Sequence, residues 1–237
     1  MHIDIWSDVV CPWCYLGARR LAAALERFAG GTELERFAGG TALERFAGGT
    51  ALERFAGGAD VTVRWHAFEL DPLAPAGATD LRPALERRYG TGAFDAMTAR
   101  LVALGPADGI DYRFDLARRV NTFDAHRLVA WAADEPAGQG GIVERLFRAH
   151  FTEGADLSDH GVLAALAADA GLDPVVAAEV LAAGGFADEV RADEARAREL
   201  DITGVPAFVV DDRVVIPGAQ DVGTMVRVLD RVAARAG

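Results

Sequence analysis

Cys11 and Cys14 are the only cysteines in this 237-residue chain, and they stand two residues apart in Cys11-Pro12-Trp13-Cys14. That spacing constrains the fold on both sides. Before it, His2-Ile3-Asp4-Ile5-Trp6 alternates polar and apolar residues and predicts a short strand. After it, residues 14–25 predict a helix. Pro12 suits the first helical position, where a missing N–H is no loss and φ is already set. Cys11 then falls at the N-cap, beside unpaired N–H groups and the positive end of the helix dipole. A thiolate is stabilised there, which makes Cys11 the nucleophile and Cys14, one turn in, the resolving thiol. Two thiols at this spacing can close a small disulfide ring and open it again.

Other uses of such a pair fit less well. A structural zinc site needs four ligands, whereas His2, His66, His126, His150 and His160 are scattered, so no metal is expected. Haem attachment needs a histidine directly after the second cysteine, and Tyr15 stands there. The formal charge of −12 argues against nucleic acid and anionic membranes as partners. All of the 24 basic residues are arginine. The chain enters its first strand without a basic, apolar leader, and no run approaches the roughly 20 apolar residues of a membrane span. A cytoplasmic location is therefore expected, where a CxxC pair is more often catalytic than structural.

Several motifs in order carry a family resemblance. Ser7-Asp8-Val9-Val10-Cys11-Pro12-Trp13-Cys14 and Thr203-Gly204-Val205-Pro206-Ala207-Phe208 resemble the DsbA family of thioredoxin-fold oxidoreductases. Phe68-Glu69-Leu70-Asp71-Pro72, Asn121-Thr122-Phe123-Asp124-Ala125-His126-Arg127-Leu128 and Phe151-Thr152-Glu153-Gly154 resemble its FrnE-like branch. The resemblance implies a cis peptide bond before Pro206, facing the cysteines. It would leave the Val205 backbone free to pair with an extended substrate segment, as in strand addition. It also implies a groove in which Asn121, His126 and Arg127 are candidates; without it they read as a cap and two solvated helix positions. Trp13, between the cysteines, would offer substrate an apolar surface.

Leu-Glu-Arg-Phe-Ala-Gly-Gly recurs from Leu25, Leu34, Leu43 and Leu52, a nine-residue period. Nine residues advance a helix by two and a half turns, so successive copies would alternate faces. Each Gly pair also costs about 2 kcal/mol relative to Ala in a helix. The period is too short for a solenoid. The repeats over 26–58 read as a duplicated insertion at the helix end remote from Cys11, or as an interaction module. The module would present Phe28, Phe37, Phe46 and Phe55 and permit self-association.

Residues 61–68 alternate as a second strand. Residues 79–200 are mostly helical, with stops at Gly90, Gly105-Pro106, Gly138 to Gly141, Gly171 and Gly184-Gly185, and helix starts at Ser158 and Asp173-Pro174. Strand character returns over 203–210 and 213–216, and Asp221 caps a last helix. The order is βαβ, helices, then ββα. This is a thioredoxin-like α/β fold, residues 1–78 and 201–237, interrupted by an all-helical subdomain over 79–200.

The activity implied is thiol–disulfide exchange on protein or small-molecule thiols and disulfides, with Cys11, Cys14 and Pro206 at its centre. It needs no cofactor beyond the cysteines, with glutathione as a candidate co-substrate. The alternatives are a glutathione-dependent isomerase or transferase of the 2-hydroxychromene-2-carboxylate isomerase type, and a non-catalytic binding protein. Relatives of the isomerase type usually carry serine at the position of Cys11 and lack the second thiol.

Overall fold

The computed structural model describes residues 1–28, the backbone of 53–54, and 60–236. Ile3 and Ile5 of β1 (His2–Ser7) turn to one face of a central sheet and Asp4 and Trp6 to the other, the period-two alternation of a strand. Around β1 the strands β2 (Glu53–Arg54), β3 (Asp60–Ala67), β6 (Ala207–Val210) and β7 (Val214–Pro217) are ordered β2-β3-β1-β6-β7. β1 runs parallel to β3, with Ile5 opposite Trp65, and antiparallel to β6, with Ile5 opposite Phe208. A two-stranded ladder, β4 (Thr79–Asp80) with β5 (Arg118–Arg119), stands apart from this sheet.

The parallel β1–β3 pair requires a crossover connection, and α1 (Pro12–Phe28) begins it. Leu16, Leu21 and Leu25 of α1 are buried with Ile3, Ile5 and Phe208, and α1 packs along α9 (Val222–Ala236). On the opposite face, Ala197 of α8 (Ala187–Glu199) packs with Ile202 against Trp6, Ala207 and Val209. Between β3 and β6 run α2 (Leu81–Tyr89), α3 (Ala93–Leu104), α4 (Phe123–Ala132), α5 (Gly138–Arg148), α6 (His160–Asp169), α7 (Pro174–Ala183) and α8. The expected βαβ, helices, ββα order is therefore modified by three short strands, β2 between α1 and β3 and the β4–β5 ladder in the helical segment.

Several boundaries differ from expectation. Gly138 to Gly141 open α5 instead of stopping a helix. Gly138, the first residue of α5, adopts φ +65°, and Gln139 then ties the helix to the sheet. Its amide accepts from Trp65 N–H at 2.8 Å and donates to the Trp65 and Val129 carbonyls. The cap of α6 is Asp159, one residue after Ser158, because its carboxylate accepts from Gly161 and Val162 N–H. Asp173 caps α7 with Pro174 at its first turn. Asp221 accepts from Thr224 N–H at the start of α9. Phe28, expected to be exposed, is half-buried against the core. The remaining repeat phenylalanines, Phe37, Phe46 and Phe55, and both readings of the insertion lie outside the described residues.

Candidate active site

β1 ends in the tight turn from which α1 springs, and this brings the sulfurs to the rim of the sheet. Cys11 N–H donates to the Asp8 carbonyl at 2.9 Å, and the Cys11 carbonyl accepts from Cys14 and Tyr15 N–H at 3.0 and 3.2 Å. Cys11 thus stands at the N-cap with Pro12 as the first helical residue. Both cysteines are free thiols and both are buried, Cys14 the more deeply. Burial, reinforced by the neighbouring Cys11, pushes the Cys14 thiol well above its ordinary range. Tyr112 Oη donates to the Pro12 carbonyl at 2.6 Å, pinning the turn from the side of the inserted helices.

The loop before β6 faces this turn. The Val205–Pro206 peptide bond is cis, and Cys11 S–H donates to the Val205 carbonyl at 3.7 Å. A Cβ on Gly17 would stand 3.0 Å from Pro206 Cγ and 3.1 Å from Phe208 Cζ, so the helix lies close under the loop. Gly218 N–H, donating to the Pro206 carbonyl at 2.8 Å, holds the loop from β7.

In front of Cys11 opens a cavity of about 700 Å³, whose wall includes Cys11, Trp13 and Val205 together with residues of α2, α3 and β5. The Arg100 guanidinium lies 5.4 Å from the centre of the Trp13 ring. His150, on the wide π-helical turn Ala149–Glu153, is 1 % exposed. It lines the same cavity, and its Nδ1 has no partner among the described residues. Burial lowers its pKa to about 4, so near neutral pH it is an uncharged polar group.

Behind the turn, the fully buried Asp8 carboxylate accepts from Leu70 N–H at 2.8 Å and lies 3.3 Å from His126 Nε2. The Glu69 side chain is 2 % exposed. Burial and hydrogen bonding with Glu194 raise its carboxyl pKa to about 7.

Cys11, Trp13, Cys14, Val205 and Pro206 therefore come together; Asn121, His126 and Arg127 do not join them on the cavity wall. Asn121 Oδ1 accepts from Phe123 N–H in a local turn one residue before Thr122, the residue at the cap position of α4. His126 is buried beside Asp8. Arg127 is buried against backbone carbonyls of Val180, Leu181 and Gly185 and against Asp124. The solvated-face reading fails for His126 and Arg127, which are both buried, and neither lines the cavity.

A model of the DSBA-like thioredoxin domain matches residues 2–230. The chain belongs to this family. The probable DsbA oxidoreductase SCO1869 of Streptomyces coelicolor is 31% identical and superposes with a TM-score of 0.80, over 99% of this chain and 90% of that one. The uncharacterized protein YwbO of Bacillus subtilis is 26% identical over 221 residues, 92% of this chain and 90% of its own. The cytosolic disulfide reductase DsbM of Pseudomonas aeruginosa, solved with GSH, shares the fold at 21% identity and a TM-score of 0.60, over 99% of this chain and 100% of that one.

Family membership supports oxidoreductase chemistry on a thioredoxin-like fold. In this DSBA-like domain, sequence reasoning passed over the residues that wall the cavity, among them Leu81, Leu85, Phe114 and Val120. One signal was available: the doublets Arg87-Arg88 and Arg118-Arg119 both reach that wall. Among the described residues, no three His, Cys, Asp or Glu side chains gather to hold a metal ion, and no helix is long and apolar enough to cross a membrane.

Proposed function

We propose that the protein is a thiol–disulfide oxidoreductase of the FrnE-like kind, working through Cys11 and Cys14 in the cytoplasm. The observation that carries the reading is the pairing of two free thiols across the first turn of α1, with Cys11 on the cavity wall and Cys14 behind it. Thiolate Cys11 attacks one sulfur of a substrate disulfide, the S–S bond breaks, and the other sulfur leaves as a thiolate that takes up a proton. Cys14, once deprotonated, attacks Cys11 Sγ of the mixed disulfide and releases the second substrate thiol. Two electrons pass to the substrate and the pair ends as a disulfide. Two glutathione molecules, or another dithiol, return it to the dithiol and are themselves joined by a disulfide. Run backwards, the same steps make disulfides. The Val205 backbone beside Cys11 is suited to hold an extended substrate segment during the attack.

The depth of Cys14 supports the division of labour, since the outer thiol meets substrate first and the inner one attacks only once the mixed disulfide has formed. The cytoplasmic setting is supported by the use of both cysteines at the site, which leaves none to staple the fold. A Cys14→Ser variant is expected to accumulate mixed disulfides and a Cys11→Ser variant to trap none. Equal trapping by the two would reverse or remove the roles. Titration of the wild type in glutathione buffers, followed by tryptophan fluorescence and mass, is expected to give one reversible two-electron transition. A stable glutathione adduct on Cys11 without ring closure would turn the reading toward a glutathione-dependent isomerase.

A further inference from the structure

The wall of the cavity before Cys11 has the opposite charge to the rest of the molecule. The chain carries −12, yet the charged groups on this wall are Arg87, Arg88, Arg118 and Arg119 against Asp71 alone. Asp71 is already engaged by Arg119, at 2.7 Å. Arg87, Arg88 and Arg118 are exposed at the rim. Below them the lining is apolar, with Leu81, Leu85, Met97, Leu101, Phe114 and Val120. The buried His150, whose Nδ1 has no partner among the described residues, adds a neutral hydrogen-bonding group to the same wall. A half-open cavity of about 700 Å³, lined mostly by apolar groups with a few polar ones, is the form of a small-molecule site. Arginine forks match carboxylates in shape as well as charge.

We propose that this cavity selects a small amphipathic anion, whose ring-sized apolar body fills the pocket while its carboxylate rests on the arginine rim. Such a compound, carrying a thiol or disulfide, presents its sulfur to Cys11. The reacting end of the proposal rests on the thiol–disulfide reading; recognition of the anion requires neither thiol. The rim also raises the local concentration of anions in front of a molecule that otherwise repels them.

Naphthalene-2-carboxylate and naphthalene-2-carboxamide share a shape and differ in charge, so they separate the rim from the lining. Titrated into the Cys11→Ser/Cys14→Ser protein and followed by calorimetry, the carboxylate is expected to bind about tenfold more tightly at low salt. That preference is expected to shrink as salt rises and to vanish in an added Arg87→Gln/Arg88→Gln/Arg118→Gln background. With wild-type thiols, the same arginine changes are expected to lower the rate of reaction with 5,5′-dithiobis(2-nitrobenzoate) relative to neutral 4,4′-dithiodipyridine. Equal affinity for the two naphthalenes, a preference that survives loss of the arginines, or binding of neither overturns the proposal. Binding of an acidic peptide where neither naphthalene binds overturns it in favour of a protein substrate. Failure of the redox reading looks different: the naphthalene preference persists while wild-type Cys11 and Cys14 form no reversible couple.

Discussion

Replacing Arg127 by methionine separates a substrate-binding role from a structural one. The Arg127 side chain is 5% exposed. Its Nε donates to the Gly185 carbonyl at 2.7 Å, and its Nη2 donates to the carbonyls of Val180 at 2.7 Å and Leu181 at 3.1 Å. Its Nη1 donates to Asp124. Four charge-assisted bonds at about 1.5–3 kcal/mol each set a gross ceiling of roughly 6–12 kcal/mol. The net loss is smaller because several partners keep other bonds. Asp124 retains His160, at 2.7 Å. The Val180 and Leu181 carbonyls retain the capping N–H of Gly184. Methionine also removes the desolvation of a buried cation and keeps much of the packing volume. The expected loss is about 3–5 kcal/mol, the range for breaking a buried ion pair. For a chain of this length that lowers Tm by roughly 10 °C. Urea unfolding followed by tryptophan fluorescence measures the loss. In parallel, the rate of thiol attack on 4,4′-dithiodipyridine, taken well below the transition, is expected to match the wild type. A stability loss below about 1 kcal/mol together with a collapsed rate would refute the argument and return Arg127 to the groove.

Three further changes test the packing and the buried titrating groups. Gln139→Leu strips the Trp65 N–H and C=O of their partner from α5 and is expected to cost roughly 2–3 kcal/mol in urea unfolding; a loss near zero would mean that the α5–β3 link contributes nothing. Glu69 holds its proton in the folded state up to about pH 7 but releases it near the ordinary 4.5 when unfolded, so its burial erodes stability as pH rises through that window. Glu69→Gln is therefore expected to gain on the wild type between those values, and a pH-independent difference in unfolding free energy would contradict this. His150 has the opposite sign: it stays neutral down to about pH 4 when folded and protonates near the ordinary 6.5 when unfolded, so stability falls as pH drops through that interval. His150→Leu is expected to flatten the acid limb of the unfolding curve, and an unchanged slope would show that His150 does not titrate there.

What the sequence disclosed about the fold followed from local rules with strong signals. Alternation located β1 and β3. Pro12 placed Cys11 at a helix N-cap, and Asp173-Pro174 marked a helix start because a capping carboxylate and a fixed φ act over three residues. Where tertiary packing outweighed local preference, the reading moved. The glycines at 138–141 are weak helix formers, but Gln139 anchors them to Trp65, and Gly141 is buried in the packing. The β4–β5 ladder is two residues deep on each side, too short to show a period. His126 and Arg127 carry polar side chains on a helix, and nothing local distinguishes one that meets solvent from one that meets the carbonyl ends of another helix. The cavity wall was illegible for the same reason: Leu81, Phe114 and Val120 are ordinary apolar residues until the chain brings them before Cys11.

The pairing of β1 with β6 has a consequence for how the protein is made. Ile3 lies opposite Val210 and Trp6 opposite Ala207, so two edges of the site come from segments about two hundred residues apart in the chain. During synthesis the thiols emerge long before the loop that faces them. The central sheet can close around β1 only after the intervening helices have been threaded out and β6 has arrived, a long-range closure of the kind that slows folding. Until then Cys11 and Cys14 belong to an unfinished chain, open to any oxidant or thiol nearby. A reducing compartment would keep the pair as thiols through that interval.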